Sequence, residues 1–99
     1  MITRIVKMSF REEEIDAFKE IFERSKDNIR AFPGNRHVEM LQDVHHPGIC
    51  FTYSWWDSEE SLNAYRNSEL FETTWAATKV LFNAKPEAWS TLKQGEGQL

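Results

Sequence analysis

The stretch ICFTYSWW, residues 49 to 56, limits the possible folds of this chain more than any other feature. Its residues alternate as in a β-strand, and both faces of that strand carry large apolar side chains. The two faces are Ile49, Phe51, Tyr53, Trp55 and Cys50, Thr52, Ser54, Trp56. A strand that is apolar on both faces belongs to a sheet that is covered on both sides. We therefore expect helices on one face and a second layer on the other.

The preceding half of the chain reads as strand, helix and strand. Residues 2 to 10, ITRIVKMSF, alternate as a strand, whereas residues 11 to 31 repeat apolar side chains at three- and four-residue steps, as in an amphipathic helix. That helix should end at AFPG, because Pro33 disfavours the helical conformation before it and Gly34 permits a turn. The next strand is NRHVEMLQDV, and the turn HHPG joins it to ICFTYSWW as a hairpin.

A second helix is predicted directly after ICFTYSWW. Asp57 as N-cap with Glu60 three residues later makes a capping-box pattern. We expect the helix to break at Asn67 and Ser68, which are better cap residues than helix-interior residues, and then to continue until Pro86 closes it. EAWSTLK is predicted to form the last strand.

The order strand, helix, strand, strand, helix, strand predicts an α+β fold, a ferredoxin-like βαββαβ sandwich with an antiparallel sheet. Its helices lie on one sheet face, and the opposite face of this chain carries too many large side chains to meet water. We therefore expect a homodimer in which the same face of a second copy covers it, giving a dimeric α+β barrel. The domain is expected to span residues 1 to 94, with residues 95 to 99 as a flexible tail.

Composition argues against several partner classes. The chain has 16 acidic and 12 basic residues, a net charge of -4, and no cluster of Lys and Arg, which makes nucleic acid an unexpected partner. No apolar run approaches the roughly 18 residues that a membrane-spanning helix needs. A single cysteine, Cys50, and an amino-terminal segment without a signal-peptide core lead us to expect a cytoplasmic protein.

The three histidines do not form a recognisable metal site. His45 and His46 lie in the predicted hairpin turn, and no His or Cys stands at a metal-ligand spacing from them. His37, on the second strand, faces solvent, a dimer partner or a pocket, and in the last case it would be a candidate proton acceptor. The chain also lacks a nucleophile elbow and a phosphate-binding loop. The carboxylates of EEEID are expected to form a solvated helix start.

The aromatic residues remain as the strongest functional signal. Six of them carry a polar atom that needs a partner when buried: Tyr53, Trp55, Trp56, Tyr65, Trp75 and Trp89. Aromatic stripes at such spacings more often form a core than a pocket, but their excess in so short a chain favours a cavity for a flat ligand. Arg4, which shares a strand face with Val6 and Met8, is either the partner of a ligand oxyanion or a solvated charge.

Four segments together resemble the antibiotic biosynthesis monooxygenase (ABM) domain family of the dimeric α+β barrel superfamily: MITRIVKMSF, RAFPGNRHVEML, DVHHPGICFTYSWW and WDSEESLNAYRNSELF. The resemblance covers about residues 1 to 90. It implies a homodimer with one pocket per subunit between sheet and helices. The family includes cofactor-independent oxygenases of polycyclic phenols, quinol monooxygenases and haem-degrading enzymes, so the resemblance narrows the fold more than the reaction.

The haem-degrading members resemble this chain through the pattern WxSEDSFxxWxxSxxFxxAH, whose last His is the axial haem ligand. Trp75 occupies that His position here, Tyr65 occupies the position of the second Trp, and Val6 falls on or near the position of a strand-one Asn. Indole cannot replace imidazole as an iron ligand. Haem degradation by that mechanism is therefore disfavoured.

The resemblance thus implies a cofactor-independent monooxygenase of a small phenolic, quinol or polyketide-like aromatic, with neither metal nor cofactor. We expect substrate-binding and catalytic roles at seven positions: Tyr65, Trp75, Trp56, Phe71 and Val6 around the substrate, Arg4 as oxyanion partner and His37 as proton acceptor. Two alternatives stay open. In the first, the chain is a non-catalytic or stress-response module that binds an aromatic metabolite. In the second, it is a structural dimer whose own side chains fill the cavity.

Overall fold

Four strands and three helices make up the fold of the computed structural model, which describes residues 1 to 99. The elements are β1 Ile2–Ser9, α1 Ile15–Arg30, β2 Asn35–Gln42, β3 Ile49–Trp56, α2 Glu59–Arg66, α3 Glu69–Lys79 and β4 Glu87–Thr91. A 3-10 turn, Glu12–Glu14, precedes α1. All neighbouring strands are antiparallel in the order β2-β3-β1-β4. The predicted α+β, ferredoxin-like fold is therefore confirmed.

The helices cover one face of the sheet and bury two groups of apolar side chains. One group is Met8, Phe10, Ile15, Phe18 and Cys50, and the other is Ile2, Ile29, Trp56 and Leu62. The apolar stripe of α1 contributes to both groups, so this helix runs the length of the core. Each large side chain buried in this way stabilises the fold by about 1.5 to 3 kcal/mol.

Gly34 forms the turn between α1 and β2, as the sequence predicts. Its φ is +88°, a conformation that residues with a side chain rarely adopt. A Cβ at this position would lie 2.5 Å from the Cβ of Ser61, so the turn also needs the absence of a side chain to let α2 approach.

The predicted break in the second helix is confirmed, and it separates α2 from α3. Asn67 caps the end of α2, and the Ser68 hydroxyl accepts a hydrogen bond from the backbone N–H of Phe71 at 3.2 Å. α3 ends at Lys79, well before Pro86, so the predicted end of this helix is wrong. The backbone leaves the helix there because Asn83 N donates to Ser9 O, which ties the segment to the end of β1.

The N-cap of α2 is Ser58, not Asp57 as predicted. The Ser58 hydroxyl accepts a hydrogen bond from the backbone N–H of Ser61 at 3.2 Å. Asp57 instead accepts two hydrogen bonds from the Arg36 guanidinium, at 2.7 and 3.1 Å. The bidentate ion pair with Arg36 thus holds the Asp57 carboxylate, which the capping-box pattern assigns to the start of α2.

A β-bulge at the start of β2 shifts the alternation of that strand. Asn35 pairs with Trp56 on the helix-facing side, but His37, two residues later, pairs with Trp55 on the opposite side. Regular alternation would place both residues on one face, and the extra residue of the bulge separates them. His37, Glu39 and Leu41 therefore face away from the helices.

We call the side of the sheet without helices the open sheet face. The strand registers assign to it Ile5, His37, Leu41, Phe51, Tyr53, Trp55 and Trp89, among others. Large apolar side chains on it contact solvent: Trp55 is 36%, Trp89 45% and Leu41 46% exposed. None of the three helices has the length and apolar character needed to cross a membrane.

Candidate functional site

A cavity of about 300 Å³ lies between the helix-facing side of the sheet and the three helices. Residues from β1, β3, α1, α2 and α3 line it, and 13 of its 22 lining residues are hydrophobic. This volume is at the lower end of the range typical of small-molecule sites, and a largely apolar wall with few polar groups is their usual character.

Six of the seven predicted site residues line this cavity. They are Arg4, Val6, Trp56, Tyr65, Phe71 and Trp75. The structure therefore brings together residues from β1, β3, α2 and α3 that are far apart in the sequence. His37 is not among them, because the bulge in β2 turns it toward the open sheet face.

Aromatic rings form a continuous wall beside the cavity. Trp56 and Tyr65 are stacked with centroids 4.9 Å apart, and Phe71 and Trp75 are stacked at 5.8 Å with planes 11° apart. Tyr65 meets Phe71 edge-on at 5.3 Å, which joins the two stacks. Trp75 continues the contact to Phe82 at 5.5 Å. Offset and edge-to-face pairs of this kind hold each other rigidly, so the wall presents fixed apolar surfaces to a flat ligand.

Trp56 and Tyr65 differ in what their polar atoms do. The Trp56 indole N–H donates to the Ser54 hydroxyl at 3.0 Å, and the side chain is 1% exposed, so Trp56 serves as wall. Burial alone raises the pKa of Tyr65 to about 12, without contribution from a charge or a hydrogen bond. The Tyr65 hydroxyl therefore stays protonated near neutral pH and keeps its O–H free to donate to a ligand oxygen.

The break between α2 and α3 sets the positions of the helix residues in the wall. The Ser68 hydroxyl accepts from Phe71 N and donates to the Tyr65 carbonyl at 2.6 Å. One serine thus ties the last turn of α2 to the first turn of α3. Since Trp75 is four residues after Phe71, its ring follows on the same side of α3.

Arg4 supplies positive charge to the cavity from the middle of β1. Its Nη1 donates to the Ser90 hydroxyl on β4 at 2.9 Å, and the residue is half-buried. Burial lowers the pKa of Arg4, and the nearby Arg66 guanidinium lowers it further. Arginine remains charged under all ordinary conditions, so Arg4 is a permanent cation beside an apolar space.

His37 lies in a separate aromatic cluster on the open sheet face. Its Nε2 is 2.7 Å from a Glu39 carboxylate oxygen, and its ring lies against Trp55 at 4.6 Å and edge-on to Tyr53 at 6.3 Å. A side chain on this face cannot reach a ligand on the other side of the sheet. The role predicted for His37, acceptance of a proton from that ligand, has no support from this position.

Several lining residues were not predicted from the sequence. They include Phe22 and Ser25 of α1, Thr52 of β3, Arg66 of α2 and Thr74 of α3. The sequence contained two indications of a cavity: Ser25 in the apolar stripe of α1, and the hydroxyl residues Thr52 and Ser54 on one face of β3. Polar residues at such positions often indicate a cavity rather than a close-packed core. Arg66 had no signal, since a basic residue in the last turn of a helix is common.

No group of three or more His, Cys, Asp or Glu side chains is arranged to hold a metal ion. The cavity lining contains neither histidine nor cysteine. Cys50 is completely buried in the core, and burial raises the pKa of its thiol, so it is a packing residue in its neutral form.

The sequence and the fold are similar to those of known proteins. A family model described as antibiotic biosynthesis monooxygenase matches residues 1–77. A crystal structure described as an antibiotic biosynthesis monooxygenase superposes with a TM-score of 0.89 at 15% identity, covering 96% of this chain and 100% of that one. A conserved protein from Methanosarcina mazei gives 0.88 at 18% identity, with 95% and 94% covered. A Mycobacterium tuberculosis protein gives 0.87 at 15% identity, with 98% of each chain covered. No curated protein matches the sequence.

Proposed function

Because the chain belongs to the antibiotic biosynthesis monooxygenase family, we propose that it is a cofactor-independent monooxygenase of a small phenolic, quinol-like or polyketide-like aromatic. The observation that carries this proposal is the cavity of about 300 Å³ with an aromatic wall on one side and the cation Arg4 on another. Such a site holds a flat ring and stabilises a negatively charged oxygen on it. Binding of the flat ring and stabilisation of its oxyanion are the two contributions that this reaction requires from a protein.

The reaction uses the electron-rich substrate as its own reductant. An ionised phenol passes one electron to O₂, and the resulting radical and superoxide combine to a peroxide. Loss of water from the peroxide leaves a carbonyl, so one oxygen atom of O₂ enters the product and the other leaves as water with two substrate hydrogens. The substrate supplies all four electrons, and the balance needs no further reductant.

Arg4 and Tyr65 both stabilise negative charge on the substrate oxygen. The Arg4 guanidinium stabilises the substrate oxyanion, which lowers the pKa of the substrate hydroxyl and favours its ionisation without a side-chain base. The neutral Tyr65 O–H donates a second hydrogen bond. Trp56, Phe71 and Trp75 hold the ring and exclude water, which strengthens both polar interactions. His37, on the open sheet face, takes no part in this scheme.

Haem degradation by the axial-histidine route is not proposed. Trp75 lines the cavity where the pattern of haem-degrading members has its ligand, and no histidine lines the cavity at all. The chain therefore offers no imidazole to an iron at this site.

Oxygen uptake tests the proposed reaction. The protein is mixed with a panel of anthrones and hydroquinones, and O₂ consumption is followed with an electrode above the autoxidation rate. We expect saturable uptake with at least one of them, slowed by about tenfold or more in Arg4→Gln and unchanged in the control Arg24→Gln, whose guanidinium lies on the outer side of α1 near Glu20. Saturable quenching of tryptophan fluorescence without O₂ uptake by any compound would instead identify a non-catalytic module that binds an aromatic metabolite.

We also propose that the open sheet face forms a homodimer with the same face of a second copy. The support is the exposure of Trp55, Trp89 and Leu41 on one contiguous surface, and a sheet that covers only one of its apolar sides with helices. Light scattering at micromolar concentration should give twice the chain mass, and Trp89→Glu should shift the protein toward a monomer. A monomeric wild-type protein would contradict this proposal.

A further inference from the structure

Two guanidinium groups at the cavity have no acidic partner. Arg4 of β1 and Arg66 at the end of α2 both line the cavity, and neither forms an ion pair. Of the other four arginines, Arg11, Arg24 and Arg36 each have a carboxylate oxygen within 4 Å, whereas Arg30 lies outside the cavity and donates to the Asn35 carbonyl at 2.9 Å. The chain has 16 acidic residues against 12 basic ones, so acidic partners are not scarce. Two unpaired arginines beside an apolar space are therefore a specific feature of this site.

Both guanidinium groups line the same cavity, and like charges at one site repel each other. Arg66 is the charge that acts on Arg4, adding to the effect of burial in lowering the pKa of Arg4. The hydrogen bond from Arg4 to Ser90 goes to a neutral hydroxyl and leaves the charge uncompensated. An anion between the two guanidiniums would turn this repulsion into two attractions, of which the one to the half-buried Arg4 is stronger than the one to the exposed Arg66.

Glu87 is the one carboxylate among the lining residues, and it does not neutralise them. In the sheet register Glu87 pairs with Lys7, whereas its neighbour Ala88 pairs with Val6 of the cavity. Because successive strand residues point to opposite faces, Glu87 belongs to the series of the open sheet face. It forms no ion pair with Arg4 or Arg66, and no Glu87 charge contributes to the pKa of Arg4.

We infer that the ligand of this cavity is an aromatic acid, a ring that bears a carboxylate or an equivalent permanent negative charge, with the ring on the aromatic wall and the anionic group between Arg4 and Arg66. This class is narrower than the phenols and quinols of the proposed function, because the substrate carries a permanent negative charge besides its reacting hydroxyl. The Arg4 guanidinium has five N–H donors and can serve both groups. A neutral phenol would leave the Arg66 charge unpaired, whereas a carboxylate matches the planar donor geometry of arginine. That the aromatic acid is a substrate rests on the proposed function. That the cavity binds an aromatic acid rests on the cavity alone.

A matched pair of probes tests the inference. 1-Naphthoate and 1-naphthamide have nearly the same shape and differ in charge, and the affinity of the full-length protein for each is measured by calorimetry at low and moderate salt. A hydrogen-bonded charge is worth about 1.5 to 3 kcal/mol, so we expect the acid to bind about 10- to 150-fold more tightly than the amide. Equal affinities for acid and amide, or binding of neither, would overturn the inference.

Variants locate the charge preference. Arg66→Gln should reduce the preference for the acid by about two- to fivefold, the range for an exposed charge, and leave the affinity for the amide nearly unchanged. Arg66 is exposed, so this change should not disturb folding, which circular dichroism checks. The control Arg24→Gln should retain the full preference. A full preference in Arg66→Gln would also overturn the inference.

The inference and the proposed function fail in different ways. A clear acid preference without O₂ uptake from any aromatic acid, including a hydroquinone carboxylate, rejects the monooxygenase and retains the anion site. Uptake of O₂ with neutral phenols, together with equal binding of 1-naphthoate and 1-naphthamide, rejects the anion site and retains the monooxygenase.

Discussion

Replacing Tyr65 with phenylalanine should separate ligand binding from stability. The Tyr65 side chain is partly buried beside the cavity, and burial raises its pKa to about 12 without any compensating hydrogen bond or charge. A fully buried polar group without a partner costs folding free energy of about 1 to 3 kcal/mol. The Tyr65 oxygen is not fully buried, so its cost is smaller than that. The ring itself stays, stacked on Trp56 at 4.9 Å and edge-on to Phe71 at 5.3 Å.

The free energy of unfolding of Tyr65→Phe should therefore equal that of the wild type or exceed it by up to about 1 kcal/mol. Affinity for an aromatic anion should fall, because the variant loses a donor to the ligand oxygen. A hydrogen bond to a charged group is worth about 1.5 to 3 kcal/mol, which corresponds to a weakening of about 10- to 150-fold. Better stability with poorer binding is the usual sign of a residue kept for function.

Urea unfolding and calorimetric titration with 1-naphthoate measure the two effects. The matched control is Tyr53→Phe. Tyr53 is the only other tyrosine and lies on the open sheet face, so loss of its hydroxyl should leave the affinity for 1-naphthoate unchanged. A Tyr65→Phe variant that loses more than about 1 kcal/mol of stability would show that the hydroxyl has a structural partner. An unchanged affinity would show that it does not contact the ligand. Either result refutes the reasoning.

Three further predictions concern the framework that holds the site. Gly34→Ala should lower the free energy of unfolding by about 2 to 4 kcal/mol, from the positive φ and the clash with Ser61, whereas Gly95→Ala in the open tail should have no effect in the same urea experiment. Ser68→Ala should cost about 1 kcal/mol through loss of the α3 N-cap, and should also weaken ligand binding, which calorimetry can detect. Because burial raises the pKa of Tyr65 in the folded state, the unfolded chain loses the Tyr65 proton at lower pH than the folded chain does. The free energy of unfolding should therefore fall as pH rises from about 10 to 12. A tyrosinate absorbance titration of the wild type, minus that of Tyr65→Phe, should have its midpoint near pH 12.

The order of the elements was predictable because each has a strong local signal. Alternation identifies the strands, and the caps at Asn67 and Ser68 identify the break between α2 and α3. The cap of α2 was misassigned, because only the folded chain brings Arg36 to Asp57 and leaves the cap to Ser58. Local pattern shows that a helix starts here, and tertiary contacts decide which residue caps it.

The composition of the site was predictable in part. Alternation groups Arg4 with Val6 on one strand face, but it does not say which face the helices cover, since packing decides that. The position of His37 was not predictable, because NRHVEM reads as a regular strand and nothing in it indicates a bulge. Arg66 was missed because it joins Arg4 through the approach of α2 to the sheet, a contact without a sequence pattern.

The four tryptophans provide the most direct test of the account. Trp56 and Trp75 line the cavity, whereas Trp55 and Trp89 lie on the open sheet face. The four indole N–H signals in a ¹H–¹⁵N correlation spectrum, assigned by single Trp→Phe variants, therefore report on the two surfaces separately. On titration with 1-naphthoate we expect the signals of Trp56 and Trp75 to shift in a saturable way and those of Trp55 and Trp89 to stay in place. Shifts confined to Trp55 and Trp89, or no shift at all, would contradict the central claim that this cavity is the binding site for an aromatic ligand.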